Sequence, residues 1–186
     1  MNELIEKFHI FVRSAFSDSE RNRLFELIWK NYSKRIYFYI STIIPLEHLY
    51  IDDIFQDIMI KIYTNLHNFD PVYPFKPWIY RITKNHCINF LKNKKEKIYA
   101  SGEADYNNVY DHRNPEKNSL RDELFSEVER FMKSLETKDR EIFYLRFYEN
   151  LRHKHISELM AMNINTVKSR VRIIKLKLKE NFRRTR

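Results

Sequence analysis

Apolar residues recur along the chain with the 3.6-residue period of the α-helix. After a weakly amphipathic prelude, Met1 to Phe16, the positions Phe25, Ile28, Trp29, Tyr32, Ile36 and Ile40 share one helical face. Ser17-Asp18-Ser19-Glu20 is a capping box that starts this helix, and Pro45 prevents its continuation beyond about Ile44. A second helix is predicted from Asp52 to about Asn68, with Phe55, Ile58, Met59, Ile62 and Leu66 inward and Asp53, Gln56, Asp57, Ile60 and Lys61 outward. Asn68 to Pro77 holds three prolines, Pro71, Pro74 and Pro77, and predicts an ordered, extended loop decorated by Phe69, Tyr73 and Phe75. Pro77 then opens a third helix, with Trp78, Ile79 and Ile82 inward and Arg81, Lys84, Asn85, Ile88, Asn89 and Lys92 on the other side, leading to Lys94, Lys95 and Lys97.

Periodicity fades after Lys97, where Ser, Gly, Asn, Asp and Pro gather, and it returns at Leu120. Leu124, Val128, Phe131, Met132 and Leu135 form one stripe. Thr137 is the expected cap of the next helix, with Asp139 in its first turn and Ile142, Phe143, Leu145 and Phe147 beyond. Finally Ile156, Leu159 and Met160 are followed by a break at Ala161-Met162-Asn163 and by Val167, Val171, Ile174 and Leu178. Asn163 suits the N-cap of the last helix. The pattern predicts an all-α chain with two small helical domains, 1–97 and 120–186, joined by a flexible linker, 98–119.

Short helix, tight turn and basic helix is the helix-turn-helix arrangement. The unburied side of the last helix carries Thr166, Lys168, Ser169, Arg170, Arg172 and Lys175. Between Asn163 and Arg186 there are nine Lys/Arg and one acid, Glu180, so most of the chain's net charge of +9 sits here. A one-signed face attracts a polyanion and releases its counterions on binding.

The 186 residues, 43% of them hydrophobic, suffice for real cores. A single cysteine, Cys87, excludes a disulfide framework within the chain and suits a reducing cytosol, so a cytoplasmic location is expected. Neither a signal peptide nor a window of transmembrane length is expected. Gly102 is the only glycine, which removes every glycine-rich phosphate loop and with it a nucleotide-hydrolysing reading. Asp53 and Asp57 lack a third ligand at metal-binding spacing, and His153 and His155 point to different helix faces, so no metal, cofactor or catalytic residue is expected. The aromatic loop beside a basic, amide-bearing helix has the composition of a single-strand binding surface. In it Tyr73 and Phe75 stack bases, Asn85 and Asn89 read edges, and Arg81, Lys84 and Lys92 follow phosphates. Ile60, set among acids on an outward face, points to a protein partner.

Asp53-Ile54-Phe55-Gln56-Asp57-Ile58-Met59 resembles the acidic segment of region 2.2 in bacterial RNA polymerase sigma factors of the small extracytoplasmic-function type. Phe75-Lys76-Pro77-Trp78-Ile79-Tyr80-Arg81-Ile82-Thr83-Lys84-Asn85 is similar to their regions 2.3 and 2.4. Leu135 to Arg140, Arg146-Phe147-Tyr148-Glu149 and Thr166-Val167-Lys168-Ser169-Arg170 resemble region 4.

The resemblance implies a non-enzymatic initiation factor. Asp53, Gln56, Asp57 and Ile60 would dock on the β′ clamp helices of core RNA polymerase. Tyr73, Phe75, Arg81, Lys84, Asn85, Asn89 and Lys92 would bind and melt the minus-ten element. Thr166, Lys168, Ser169, Arg170, Arg172 and Lys175 would bind the minus-thirty-five duplex. It further implies a contact with the polymerase β flap and an anti-sigma antagonist, and neither a small-molecule substrate nor membrane insertion. Some positions depart from the pattern. Asn150, Ala161 and Asn165 stand where glycines are usual, Ile173 stands at a commonly basic position, and His155 replaces the usual Glu. An alternative reading, a stand-alone LuxR-type helix-turn-helix regulator, shares the Thr-Val-Lys start of the last helix but leaves Asp53 to Asn85 unexplained.

Overall fold

The computed structural model describes residues 17–44, 48–101 and 120–184. The prelude before Ser17, Pro45 and the linker residues 102–119 lie outside these. Among the described residues there are seven α-helices and no strand. They are α1 (Asp18–Ile43), α2 (His48–Asn65, continued by a 3-10 turn, Leu66–Asn68), α3 (Phe75–Ser101), α4 (Leu120–Ser134), α5 (Thr137–Phe143, continued by a π turn, Tyr144–Tyr148), α6 (His153–Met160) and α7 (Ile164–Arg184). The chain divides into two compact units, Met1–Asn107 and Asn108–Arg186, each with its own core.

In the first unit α1, α2 and α3 pack against one another pairwise. The expected capping box forms: the Ser17 amide donates to Glu20 Oε2 at 3.1 Å and the Glu20 amide to Ser17 Oγ at 3.3 Å. Ile28, Ile36 and Ile40 of α1 meet Ile54, Ile58 and Ile62 of α2 and Ile79, Tyr80 and Cys87 of α3, all buried. Each fully buried Ile of this set contributes about 1.5–3 kcal/mol relative to exposure. Tyr39 and Tyr80 meet edge to face at 4.9 Å between centroids.

Two expectations change here. Trp29, predicted on the buried stripe, is 48% exposed. It follows Ile28 by one residue, about 100° around the helix, and a single α2–α3 layer covers only one of the two. The third helix starts at Phe75, two residues before Pro77, because a proline in the first turn removes only an amide that has no intrahelical partner. It also runs on to Ser101, past the expected end at Lys97, since Lys, Glu and Ala propagate a helix without an apolar stripe. The side chains of Lys94, Lys95 and Lys97 lie outside those described.

In the second unit α5 and α6 pack on α7, with Phe131, Leu135, Ile142, Leu145, Ile156, Val167, Val171 and Ile174 buried. Thr137 is not the cap of α5: Glu136 precedes the helix and no side chain caps it. Asp139 does stand in the first turn, as expected. Arg140 closes the preceding helix end instead, its Nε donating to the Met132 carbonyl at 3.0 Å and Nη2 to that of Leu135 at 3.1 Å.

The turn between α6 and α7 is closed by two hydrogen bonds: the Met162 amide donates to the Ser157 carbonyl at 3.0 Å and the Ala161 amide to that of Glu158 at 3.4 Å. This geometry needs a left-handed residue, and Ala161 adopts it, with φ 50° and ψ 44°. Asn150 is the second left-handed residue, at φ 54°, and its side chain tolerates that region well. A Cβ at Ala161 costs about 1–2 kcal/mol, of which glycine's larger unfolded-state entropy cancels about 0.4–1 kcal/mol. Ala161→Gly is therefore expected to stabilise the second unit by about 0.5–1 kcal/mol, read as a twofold to fivefold slowing of amide exchange in α6 and α7. Unchanged or faster exchange would show that the turn is not strained.

Candidate docking and nucleic-acid interfaces

Asp53, Gln56, Asp57, Ile60 and Lys61 all emerge on the exposed side of α2, as their spacing predicts. Ile60 is 61% exposed. Beside it the misplaced Trp29 joins Phe25, Gln56, Met59, Ile60 and Tyr63 around an open apolar hollow of about 440 Å³. Its walls are braced. Trp29 meets Phe55 edge-on at 5.7 Å, Tyr63 donates its hydroxyl to Asn22 Oδ1 at 2.8 Å, and the Arg21 guanidinium lies 4.7 Å above the Tyr63 ring. An apolar hollow walled in part by α2, which also exposes Asp53 and Asp57, has the surface chemistry to hold an amphipathic helix with basic flanks. The sequence missed Trp29 and Phe25 here, because an aromatic on a helical stripe reads as core.

A second feature absent from the sequence reading links this face to α3. His86 lies between Lys61 Nζ, 2.7 Å from its Nδ1, and Asp57 Oδ2, 3.4 Å from its Nε2. Burial and then Lys61 hold its pKa below the ordinary histidine value, against a smaller upward pull from Asp57. At neutral pH the imidazole is therefore uncharged, accepts from the lysine at Nδ1 and turns its Nε2 proton towards Asp57.

The loop before α3 is anchored at both ends and open at its tip. Asp70 accepts the Val72 amide on its side chain at 3.0 Å and the Tyr73 amide on its carbonyl at 3.1 Å, with Pro71 fixing the turn between them. Val72 and Tyr73 are carried outward, Tyr73 66% exposed. Phe75 is a correction to the sequence reading. Only 7% exposed, it stacks on Trp78 at 5.5 Å and meets Phe69 and Tyr32 edge to face at 5.3 and 5.8 Å. Since the helix begins at Phe75 itself, the ring turns into the core, and it is not available to a base. Arg81, Asn85, Asn89 and Lys92 are exposed on α3, and Lys84 is half-buried. Asn85 and Asn89 stand one turn apart, at a spacing of about 6 Å along the axis.

On α7, Asn163 accepts the Asn165 amide on Oδ1 at 2.8 Å and the Val167 amide on its carbonyl at 3.1 Å, so the expected cap is present. Thr166, Lys168, Ser169, Arg172 and Lys175 are exposed. Arg170 is the second correction: its Nη1 donates to Asp139 Oδ1 at 2.6 Å, across to the first turn of α5. The residue lies at the edge of the buried stripe, and a nearly buried carboxylate thirty-one residues upstream claims one side of the guanidinium. It pins α7 to α5 rather than standing free for DNA. His153, at the start of α6, is held below its ordinary pKa by burial first and then by Arg146, Lys168 and Lys175, which records the positive field around this helix.

The pair is asymmetric, with Arg170 three times as exposed as Asp139, 32% against 10%. Asp139→Asn leaves a cation that can turn to water, whereas Arg170→Met strands a carboxylate in the core. We expect losses of about 1–2 kcal/mol for the first and about 3 kcal/mol or more for the second, measured by urea unfolding monitored on the second unit. Equal losses would mean that the ion pair does not carry this packing.

Among the described residues no group of three or more His, Cys, Asp or Glu side chains is placed to hold a metal ion. Nor is any helix among them long and apolar enough to cross a membrane.

Comparison with known proteins covers both units. Residues 28–97 match the family model for sigma-70 region 2, and residues 125–178 that for sigma-70 region 4. RNA polymerase sigma factor SigZ of Bacillus subtilis is 28% identical over 155 residues, 83% of this chain and 85% of that protein. The ECF RNA polymerase sigma-E factor of Escherichia coli is 27% identical over 157 residues, 80% and 81% of the two chains. In structure, the sigma factor RpoE of Bartonella quintana, solved with the anti-sigma factor NepR, is similar with a TM-score of 0.68. That likeness spans 87% of this chain and 98% of the other at 17% identity, and is a likeness of fold.

Proposed function

The chain belongs to the sigma-70 family, in its extracytoplasmic-function group, and from that premise we infer how its surfaces divide the work of transcription initiation. It is an RNA polymerase sigma factor, a binding subunit that directs core polymerase to promoters and assists their opening. A LuxR-type regulator accounts only for the second unit, whereas the region 2 match covers the first.

Asp53, Gln56, Asp57 and Ile60, with Trp29 beside them, form the docking surface for the β′ clamp helices. Tyr73 at the loop tip and Asn85 and Asn89 on α3 receive the melted strand of the minus-ten element. Arg81, Lys84 and Lys92 hold its phosphates. Lys168, Ser169 and Arg172 enter or flank the major groove of the minus-thirty-five duplex, with Thr166 at the helix start and Lys175 on phosphate. The observation that carries this division is the segregation of charge and apolarity: an acidic, partly apolar face on α2, and a basic, one-signed face on α7. The chain performs no covalent chemistry in this scheme and works in the cytoplasm, where an anti-sigma factor covers one or both surfaces until a signal releases it.

Run-off transcription with reconstituted core enzyme on genomic fragments tests the reading. Transcripts that start at discrete sites only when the chain is added support it. Transcription that does not depend on the chain, together with failure to bind core, would overturn it.

A further inference from the structure

Two large apolar side chains stand in water in the middle of the basic helix. Ile173 is 48% exposed and Leu176 59%. At about 100° per residue they fall with Ser169 roughly opposite the buried stripe of Val167, Val171 and Ile174. On one flank of this outward stripe run Lys168, Arg172, Lys175 and Lys179, and on the other stands Lys177, Arg170 on that side being held by Asp139. Glu180 falls on the same stripe one turn beyond Leu176 and closes it, because a carboxylate facing a phosphate-lined groove is repelled.

A neutral, apolar strip with a basic row along one side and Lys177 on the other complements a major groove. Its two phosphate backbones lie at the rims, and its floor carries one apolar group, the C5 methyl of thymine. A basic protein surface facing this stripe would be repelled by the cations on its flanks, and an acidic one would leave the isoleucine unpaired. We propose that Ile173 is a specificity-determining residue that reads a thymine methyl in the upstream duplex, with Leu176 extending the same apolar contact towards the groove edge. The proposal rests on the assignment of α7 to duplex DNA. Within that assignment it divides the helix into basic residues that hold any sequence and one apolar residue that prefers a particular base. The preferred element then contains thymine where Ile173 lies, and a cytosine or a purine there presents a polar edge to an apolar side chain.

The holoenzyme, made from core polymerase and the full chain, selects duplexes from a library randomised upstream of a fixed melted region. Each thymine of the best duplex is then replaced in turn by deoxyuridine, which removes the methyl and nothing else. At one or two adjacent positions uracil is expected to weaken binding about threefold to fivefold, as burial of one methyl group predicts. Ile173→Ala should bind the thymine and uracil duplexes equally, and being exposed it does not threaten folding. Lys175→Ala should weaken both duplexes alike and keep their ratio.

If the holoenzyme selects a duplex but no uracil position weakens binding, the methyl reading fails while the duplex assignment stands. The methyl reading fails equally if Ile173→Ala keeps the thymine preference, or if it impairs core assembly instead, which would make the stripe a protein surface. If the holoenzyme forms and no upstream duplex is selected, the duplex assignment itself fails, and this inference with it.

Discussion

With Asp53→Arg and Asp57→Arg together, the chain is expected to bind core polymerase about 100-fold or more weakly while remaining folded. Both carboxylates are exposed and contribute little to the three-helix core, so the reversal is read in the interface and not in the fold. Like charges brought together across an interface cost several kcal/mol, and about 2.7 kcal/mol already corresponds to 100-fold. Asp57 needs a separate control, because an arginine there would also press against Lys61 and His86. Asp57→Asn removes the charge without adding a cation, and should weaken binding by a smaller factor with the α2–α3 contact intact. Trp29→Ala empties one wall of the hollow and should cost more than either single charge, since a half-exposed aromatic anchor beside an apolar pocket is the usual centre of such an interface. Titration of fluorescent core followed by anisotropy, with circular dichroism as the folding control, separates these cases. Wild-type affinity in the double reversal would remove α2 from the docking surface.

Where local chemistry alone decides a feature, the sequence was sufficient. The Ser17–Glu20 box, the Asn163 cap and the outward row Asp53, Gln56, Asp57 and Ile60 depend only on spacing within one or two turns, and the structure places them as the spacing predicts. The misses share a different cause. Trp29 and Phe75 are both aromatics near the edge of a buried face, and whether such a ring turns inward depends on what the packed neighbours cover. Phe69 and Tyr32 claim Phe75, and no described residue of the first unit covers Trp29 fully. Arg170 was assigned by its place in a basic run, but its partner Asp139 lies on another helix and is visible only once α5 and α7 are packed. The Ala161 turn shows the opposite balance: the two closing hydrogen bonds and the packing of α6 on α7 hold an alanine where local preference asks for glycine.

Strand opening gives the second large effect, and the burial of Phe75 sharpens it by leaving Tyr73 as the exposed ring on the loop. A base that leaves the duplex loses a few kcal/mol of stacking and pairing. A waiting ring returns about 1–3 kcal/mol of it, provided that the ring needs no ordering of its own. The Asp70–Tyr73 turn supplies that order, because Pro71 and the Asp70 side chain fix the backbone before any base arrives. Tyr73→Ala is therefore expected to slow open-complex formation on duplex promoters by about 5-fold to 100-fold. On templates already mismatched across the melted region the unstacking has been done in advance, and the defect should shrink to about threefold or less. Asn85→Ala should follow the same pattern more weakly, as it removes an amide edge and no stacking surface. Phe75→Ala is the contrasting variant: it opens a cavity among Tyr32, Phe69 and Trp78 and costs about 3–5 kcal/mol of stability, so its defect should be equal on both templates and accompanied by loss of structure. Permanganate reactivity reports opening and run-off yield reports the product. If Tyr73→Ala were equally impaired on duplex and pre-melted templates, the loop would act in docking or in a later step, and the base-receiving role would pass to another part of α3.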